Sequence, residues 1–245
     1  MGDSHLGVLQ ADENELIKQR DKVKRDPNAY VIGMGDYTDC ITQTDKRWDP
    51  SIISSWVEKD NIAESQRKRI VKILKPIRHK IIALLAGNHE LAIRRYLQVN
   101  IMKNIIDDLE VPYGGYQCFI ILIFRRKGSS ESHQYTIHAW HGAGAAQSEG
   151  ARLMRLKRLV KEFEADIYLM GHLHGITHDI TDRLTVRNGR VKNIPQIATI
   201  TGSFLQTYMQ GVSPGYGEIM GYKPSHLGCP CIIFKPNTGE MIYQS

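Results

Sequence analysis

The stretch of residues 29–39 (AYVIGMGDYTD) decides how this chain is interpreted, because a short apolar run ends in glycine and carboxylates follow at once. The apolar part, residues 29–35, predicts a buried β-strand that enters a loop. In open α/β sheets, ligands lie beyond the carboxyl ends of the strands, so Asp36 and Asp39 stand where chemistry is expected. The stretch therefore predicts an α/β fold with a functional site at the end of this strand.

The same arrangement recurs further along the chain. Residues 80–87 (KIIALLAG) and 167–171 (IYLMG) are also predicted strands that end in glycine, followed by Asn-His-Glu and His-Leu-His. Amphipathic stretches alternate with these strands, as they do in α/β folds. The predicted helices are residues 13–25, 51–74, 90–108 and 152–163. The other predicted strands are residues 117–126, 132–141, 185–192, 194–201 and 231–235, with a hairpin turn at 127–131.

Length and composition predict one domain that covers residues 1–245. A chain of 245 residues with 42% hydrophobic and 24% charged residues can bury a core without disulfides. The formal charge of +6 favours an anionic partner without identifying it. The four cysteines are scattered, and no apolar run is long enough to cross a membrane, so we expect a reduced, cytoplasmic protein that does not insert into membranes.

Five short motifs supply the side chains that a hydrolytic pair of metal ions needs. Such a centre requires a bridging carboxylate, imidazoles and neutral oxygen ligands. The motifs are Asp3-x-His5, Gly35-Asp36-x-x-Asp39, Gly87-Asn88-His89-Glu90, His141-Gly142 and Gly171-His172-x-His174. Residues two apart project to one side of an extended backbone, so both members of D-x-H and of H-x-H can bind one ion.

Each motif alone also has a simpler interpretation. Gly-Asp after a strand is a common turn, and Asn88 is a suitable cap for a helix N-terminus. A lone D-x-H or H-x-H is usually a chance pair of polar residues. The metal hypothesis depends on the five motifs occurring together, with Asp36 as the bridging carboxylate because its two oxygens can bind one ion each.

In their order along the chain, the motifs resemble the signature of the calcineurin-like metallophosphoesterase superfamily. The resemblance covers Asp3 to His174 and implies a four-layer α/β/β/α sandwich of two mixed sheets flanked by helices. It also implies two divalent ions, and a mixed nitrogen and oxygen ligand set suits Mn²⁺, Fe²⁺, Zn²⁺ or Ni²⁺. The implied ligands are Asp3, His5 and His174 for one ion, Asn88, His141 and His172 for the other, and Asp36 as the bridge.

The resemblance further implies a catalytic role for His89, which would protonate the leaving oxygen or neutralise charge that develops on it. Asp39 matches the family carboxylate that orients this histidine, so it would fix the tautomer of His89 and favour the imidazolium. The alternative interpretation of Asp39 is a residue that forms a turn.

Two positions narrow the class of phosphate ester that is expected as substrate. Phosphoprotein phosphatases of this superfamily carry arginines where this chain has Cys40 and Ala86, and the closing G-H-x-H resembles the phosphodiesterase and nuclease branches, including small phage and bacterial enzymes. We therefore expect a phosphodiesterase. The alternatives are a phosphomonoesterase and a nucleic-acid-binding protein or nuclease. Arg94 and Arg152 are candidate substrate contacts, with plain solvent exposure as the alternative. The expected substrate is a phosphate ester, with a nucleotide or nucleic acid as a candidate.

One feature departs from the family pattern. D-x-H normally follows a full buried strand, whereas only Met1 and Gly2 precede Asp3. The expectation is a truncated first strand, with Asp3 and His5 held less firmly than the other ligands.

Overall fold

The apolar runs of the first half form a small parallel sheet. In the computed structural model, which describes residues 1–45, 47–187 and 189–245, β1 (Val31–Gly33) pairs in parallel with β2 (Ile81–Leu84). The backbone N–H of Asp3 donates to Gly35 O at 2.8 Å on one side of this pair. On the other side, Gly114 N donates to Leu84 O at 2.9 Å. Because β1 and β2 are parallel, the loops that follow them leave the same edge of the sheet.

Four helices cover the outer face of this sheet. They share one apolar core with the strands, in which Ile70, Leu84 and Ile105 are buried. Capping side chains set two of the helix starts, since Asp12 accepts a hydrogen bond from Glu15 N and Asn100 accepts one from Lys103 N. The helices are α1 (Glu13–Arg25), α2 (Ile62–Leu74), α3 (Asn88–Leu97) and α4 (Ile101–Leu109), and a 3-10 helix (Lys75–Lys80) follows α2.

The second half forms a five-stranded mixed sheet in the order β3-β4-β5-β7-β6. The three central strands are parallel, and an antiparallel hairpin lies at each edge. These strands are β3 (Gln117–Arg125), β4 (Ser132–Trp140), β5 (Ile167–Met170), β6 (Thr177–Arg187) and β7 (Arg190–Ile200). The inner face of the sheet packs Ile137 and Leu169 against Met34 and Leu85, which follow β1 and β2.

Two further elements complete the layers. Helix α5 (Glu149–Glu162) packs Leu156 and Leu159 on the outer face of the mixed sheet, and a hairpin of β8 (Cys231–Lys235) and β9 (Glu240–Gln244) joins the inner core. A short helix α6 (Tyr216–Ile219) lies between β7 and β8. The α/β/β/α sandwich is therefore confirmed, although only the second sheet is mixed. The other layer consists of a parallel pair and a separate hairpin.

The predicted helix over residues 51–74 was wrong in its first half, because α2 begins only at Ile62. Residues before it pair with the start of the chain instead: Leu9 N donates to Ile52 O at 2.7 Å, and Ile53 forms an isolated bridge with Val8. Ile52 and Val57 are buried in this segment. Tertiary pairing has overridden the local helix pattern.

The predicted helix over residues 90–108 is two helices. Gln98, with φ of 57°, takes the left-handed conformation that ends α3, and Asn100 caps the start of α4. The predicted strand over residues 185–192 was also wrong, because it runs across the end of the β6–β7 hairpin, whose pairing extends to Arg187 and Arg190.

Two smaller expectations concern membranes and cysteines. Among the described residues, no helix combines the length and the apolar character needed to cross a membrane. Cys40, Cys118, Cys229 and Cys231 are all free thiols.

Candidate metal centre

Backbone hydrogen bonds bring four separate segments of the chain to one point at the strand ends. Besides the bond from Asp3, His5 N donates to Asp36 O at 3.1 Å, and His141 N donates to Tyr116 O at 3.0 Å. The backbone N–H of His172 donates to both carboxylate oxygens of Asp3, at 3.0 and 3.1 Å. Asp3 and His5 are fully buried, and the first residues lie alongside β1, so both side chains are supported by the sheet.

The backbone at these positions is not extended. Among the described residues, eight non-glycine residues have positive φ, and five of them belong to the motifs: Asp3, His5, Asp36, His172 and His174, with φ between 44° and 67°. The D-x-H and H-x-H side chains therefore converge because both members of each pair are left-handed, and the expected extended backbone was wrong. Left-handed backbone costs on the order of 1 kcal/mol per residue and persists where the surroundings impose it, often at functional sites.

The first group of side chains is formed by the two spaced motifs. His5 Nε2 lies 3.1 Å from His174 Nε2, and His174 Nε2 lies 3.6 Å from Asp3 Oδ1. Both imidazoles thus point one ring nitrogen at the same small volume as a buried carboxylate. Asp3, His5 and His174 form a group that could hold a metal ion.

The second group lies on the other side of Asp36. Its Oδ2 is 3.3 Å from His141 Nε2 and 3.9 Å from His5 Nε2, so this carboxylate faces a ligand of each group. Asn88 Oδ1 lies 3.1 Å from His141 Nε2. Asp36, His141 and His172 form a second group that could hold a metal ion.

Hydrogen bonds to backbone carbonyls select which ring nitrogen faces the site. Nδ1 of His141 donates to Met34 O at 2.6 Å, which leaves Nε2, the nitrogen beside Asn88 and Asp36, as the one that could bind a metal ion. His172 shows the opposite choice, since Nε2 donates to Gly144 O at 3.0 Å, while its Nδ1 is buried and has no hydrogen-bond partner. Carbonyl partners of this kind commonly orient histidines that bind metals. The orphaned Nδ1 therefore fits a metal ligand.

Burial and mutual charge together set the electrostatics of the site. Burial, with repulsion from Asp36, raises the pKa of Asp3 to about 7. Burial opposes ionisation of Asp36 as well, but the nearby His89 and His141 outweigh it and hold its pKa well below the ordinary value. Burial also disfavours the charged form of His141, yet the attraction of Asp36 and Asp3 raises its pKa to about 9. A bound cation would stabilise the charged form of both carboxylates.

Sequence reasoning missed the role of Glu90. Its buried carboxylate accepts hydrogen bonds from the backbone N–H groups of Gly87, Asp36, Tyr37 and Thr38, at 2.8 to 3.2 Å. It thereby joins the loop after β1 to the first turn of α3. The signal was present, because glutamate at the third helical position is typical of a capping box.

Replacing Glu90 with glutamine should destabilise the fold more than an isosteric change suggests. One of the two acceptor oxygens becomes an amide NH₂, which then faces two backbone N–H groups in a buried position. We expect Glu90→Gln to lower the free energy of unfolding by about 3 kcal/mol in urea denaturation. The control Glu149→Gln, at an exposed position in α5, should change it by less than about 0.5 kcal/mol. Equal denaturation midpoints for Glu90→Gln and the wild type would contradict this assignment.

The two predicted catalytic residues lie next to the ligand groups. His89 is buried, its backbone N–H donates to Asp36 Oδ1 at 2.9 Å, and its Nδ1 hydrogen-bonds the carbonyl oxygen of Asp39. The Asp39 carboxylate is 3.8 Å from this Nδ1 and 3.4 Å from His5 Nδ1. The main chain of Asp39, rather than its side chain, therefore orients His89. The carboxylate lies closer to His5.

The two predicted substrate contacts differ in position. Arg94 is exposed in the last turn of α3, while Asn88 and His89 occupy the first turn. Arg152 lies beside the His172–His174 loop, where its Nε donates to Thr177 Oγ1 at 3.1 Å and its Nη1 to Gln147 O at 3.2 Å. A substrate contact by either arginine stays a prediction.

The comparisons with known proteins agree with this geometry. The sequence profile described as calcineurin-like phosphoesterase matches residues 1–175, which include all five motifs. A comparison with curated proteins found no match. With the matched region covering most of the chain and containing every donor of both groups, the chain belongs to the calcineurin-like phosphoesterase family.

Proposed function

We propose that this chain is a phosphodiesterase that uses two divalent metal ions. The observation that supports this most is the position of Asp36, whose carboxylate faces an imidazole of each donor group. A carboxylate between two sets of nitrogen and oxygen donors is the arrangement that two-metal hydrolytic centres use. Family membership supports the same class of reaction, the hydrolysis of phosphoric esters.

The proposed ligand sets follow the two groups. Asp36 would be shared by both sets, since the same oxygen, Oδ2, lies 3.9 Å from His5 Nε2 and 3.3 Å from His141 Nε2. The sets are Asp3, His5 and His174 for one ion, and Asn88, His141 and His172 for the other. With only Asp3 and Asp36 as anionic ligands, two bound dications would keep a net positive charge that attracts phosphate. The nitrogen and oxygen mixture suits Mn²⁺, Fe²⁺, Zn²⁺ or Ni²⁺.

The protein side chains supply orientation and a proton. When bound, two divalent ions provide activation of water and neutralisation of phosphoryl charge. His89 donates its Nδ1 hydrogen to the Asp39 carbonyl, so its Nε2 is the nitrogen left to face the leaving oxygen. In the imidazolium form, Nε2–H can protonate that oxygen as the ester bond breaks. The hydrogen bond from His89 N to Asp36 keeps this imidazole at a fixed place relative to the ligands.

The preference for a diester is supported by a lack of cationic side chains at two positions. Cys40 is buried with its Sγ 2.9 Å from Thr38 Oγ1, and Ala86 is fully buried. Neither offers the guanidinium that grips a dianionic monoester in phosphoprotein phosphatases. A diester carries one charge fewer and needs less compensation.

Turnover of two model substrates tests this preference. Chain stripped by a chelator and reloaded with Mn²⁺ should hydrolyse bis-p-nitrophenyl phosphate with a kcat/KM at least about tenfold above that for p-nitrophenyl phosphate, about 1.4 kcal/mol in barrier. The stripped chain is the control and should hydrolyse neither. A higher kcat/KM for the monoester would favour the phosphomonoesterase alternative.

A nucleotide or nucleic-acid substrate and a cytoplasmic location remain proposals. The formal charge of +6 supports an anionic substrate, whether a nucleotide or a nucleic acid. A protein that only binds nucleic acid would bind DNA or RNA in a salt-dependent manner after chelation, without cleaving it. Metal-dependent cleavage of a nucleic acid would instead make the chain a nuclease.

A further inference from the structure

Two arginines on one face of α5 lie against the loops that carry His172 and His174. Arg152 and Arg155 are three residues apart, so their side chains leave the helix on the same side. Both are partly buried. The guanidinium of Arg152 lies beside Gly175, which follows His174 in the sequence. The guanidinium of Arg155 lies beside Gly144, whose carbonyl oxygen accepts a hydrogen bond from His172.

Arg152 holds the residues that follow His174. A Cβ added to Gly175 would lie 2.6 Å from the guanidinium carbon of Arg152, so this group packs directly on the glycine. Its Nε donates to Thr177 Oγ1 at 3.1 Å and its Nη1 to Gln147 O at 3.2 Å. The guanidinium thus joins β6 to the loop before α5, with Gly175 between them.

Arg155 holds the residue that orients His172. A Cβ added to Gly144 would lie 2.5 Å from Nη2 of Arg155, and Gly144 has a φ of +82°, a conformation that favours glycine. The carbonyl oxygen of Gly144 accepts the hydrogen bond from His172 Nε2 at 3.0 Å. Arg155 therefore contacts the residue whose carbonyl oxygen determines which ring nitrogen of His172 faces the site.

We propose that Arg152 and Arg155, here called the arginine pair, are positioning residues that hold His172 and His174 in the geometry needed to bind metal. This inference rests on the proposed function, because it assumes that these histidines are ligands. Both histidines have left-handed backbone, with φ of 67° and 57°, and such conformations persist only when surrounding contacts impose them. The arginine pair contacts Gly175 and Gly144, the two glycines that adjoin these histidines.

A lysine lacks the planar group that each member of the pair packs against its glycine. The planar guanidinium of Arg152 bonds two acceptors in different directions while its flat face covers Gly175. An ammonium group is a compact, strongly hydrated charge without this shape. A positive charge alone is therefore insufficient to hold the loop. Comparing alanine with lysine variants separates the positioning effect of the guanidinium from its charge.

Metal affinity, measured without substrate, tests the proposal. Isothermal titration with Mn²⁺ should show binding weakened by about 10- to 100-fold at one of two sites in Arg152→Ala, Arg155→Ala and the corresponding lysine variants, which is the usual effect of losing a residue that orients a ligand. The matched control is Arg158→Ala, an exposed arginine on the same helix, which should bind Mn²⁺ like the wild type. Added guanidinium ion should restore part of the affinity of the alanine variants.

A further variant distinguishes loss of positioning from a folding defect. Thr177→Val removes the hydroxyl that accepts from Arg152 and keeps the guanidinium, and it should weaken Mn²⁺ binding in the same direction. Wild-type affinity in folded arginine variants, or full rescue by lysine, would overturn the proposal and leave the proposed function intact. Failure of the wild-type chain to bind Mn²⁺ would overturn both.

Discussion

Asp36→Asn should remove hydrolysis and most metal binding together. The carboxylate faces His5 and His141, one from each donor group, and asparagine offers only one neutral oxygen in its place. We expect kcat/KM for bis-p-nitrophenyl phosphate to fall at least about 10³-fold, which corresponds to about 4 kcal/mol of barrier. Elemental analysis of the purified variant should show fewer than two equivalents of metal.

The Asp36→Asn result needs a control for general loss of charge and of structure. Asp107→Asn changes an exposed carboxylate of α4 that pairs with Lys103, and it should leave metal content and turnover unchanged. Circular dichroism checks that Asp36→Asn is folded, because this side chain also accepts from His89 N. A folded Asp36→Asn protein with two equivalents of metal and full activity would contradict its bridging role.

His89→Asn should abolish most of the activity while leaving metal content unchanged. Asparagine places an N–H near the position of Nδ1, so the bond to the Asp39 carbonyl can persist, but it provides no acid at the position of Nε2. Loss of a general acid typically costs 10²- to 10⁴-fold, so we expect a decrease of about 10³-fold. Metal content is expected to stay unchanged because His89 belongs to neither proposed ligand set.

The leaving group provides a sharper measurement for His89. A diester that releases an alkoxide needs protonation more than one that releases p-nitrophenolate, so the variant should lose more activity on the alkyl ester. Equal losses on both esters would indicate that His89 acts on the phosphoryl charge rather than as an acid. Full activity of His89→Asn on both would exclude either role.

The places of several site residues could be predicted from the sequence because they directly follow a glycine at the end of a buried apolar run. Strand ends are set by local sequence, and parallel strands bring their carboxyl ends to one edge. Asp36 and His172 are of this type. Their backbone conformation could not be predicted, because left-handed φ at non-glycine residues depends on contacts between distant segments, such as the bond from His5 N to Asp36 O.

The elements that were predicted wrongly from the sequence are those in which tertiary contacts compete with the local helix or strand preference. Residues 51–61 contain helix-compatible apolar spacing, but Ile52 and Ile53 pair with the segment after His5. The supporting residues of the site were missed for a similar reason. Arg152 and Arg155 act on other segments of the chain, and motif spacing contains no record of such contacts, whereas the third helical position of Glu90 did carry a signal.

Anomalous diffraction from crystals of the Mn²⁺-loaded protein tests the central claim most directly, because it locates metal ions without reference to activity. We expect two peaks separated by about 3.5–4 Å with the Asp36 carboxylate between them. One peak should be next to Asp3, His5 and His174, and the other next to Asn88, His141 and His172. A single peak in this region, or manganese bound only elsewhere in the protein, would contradict the two-metal account.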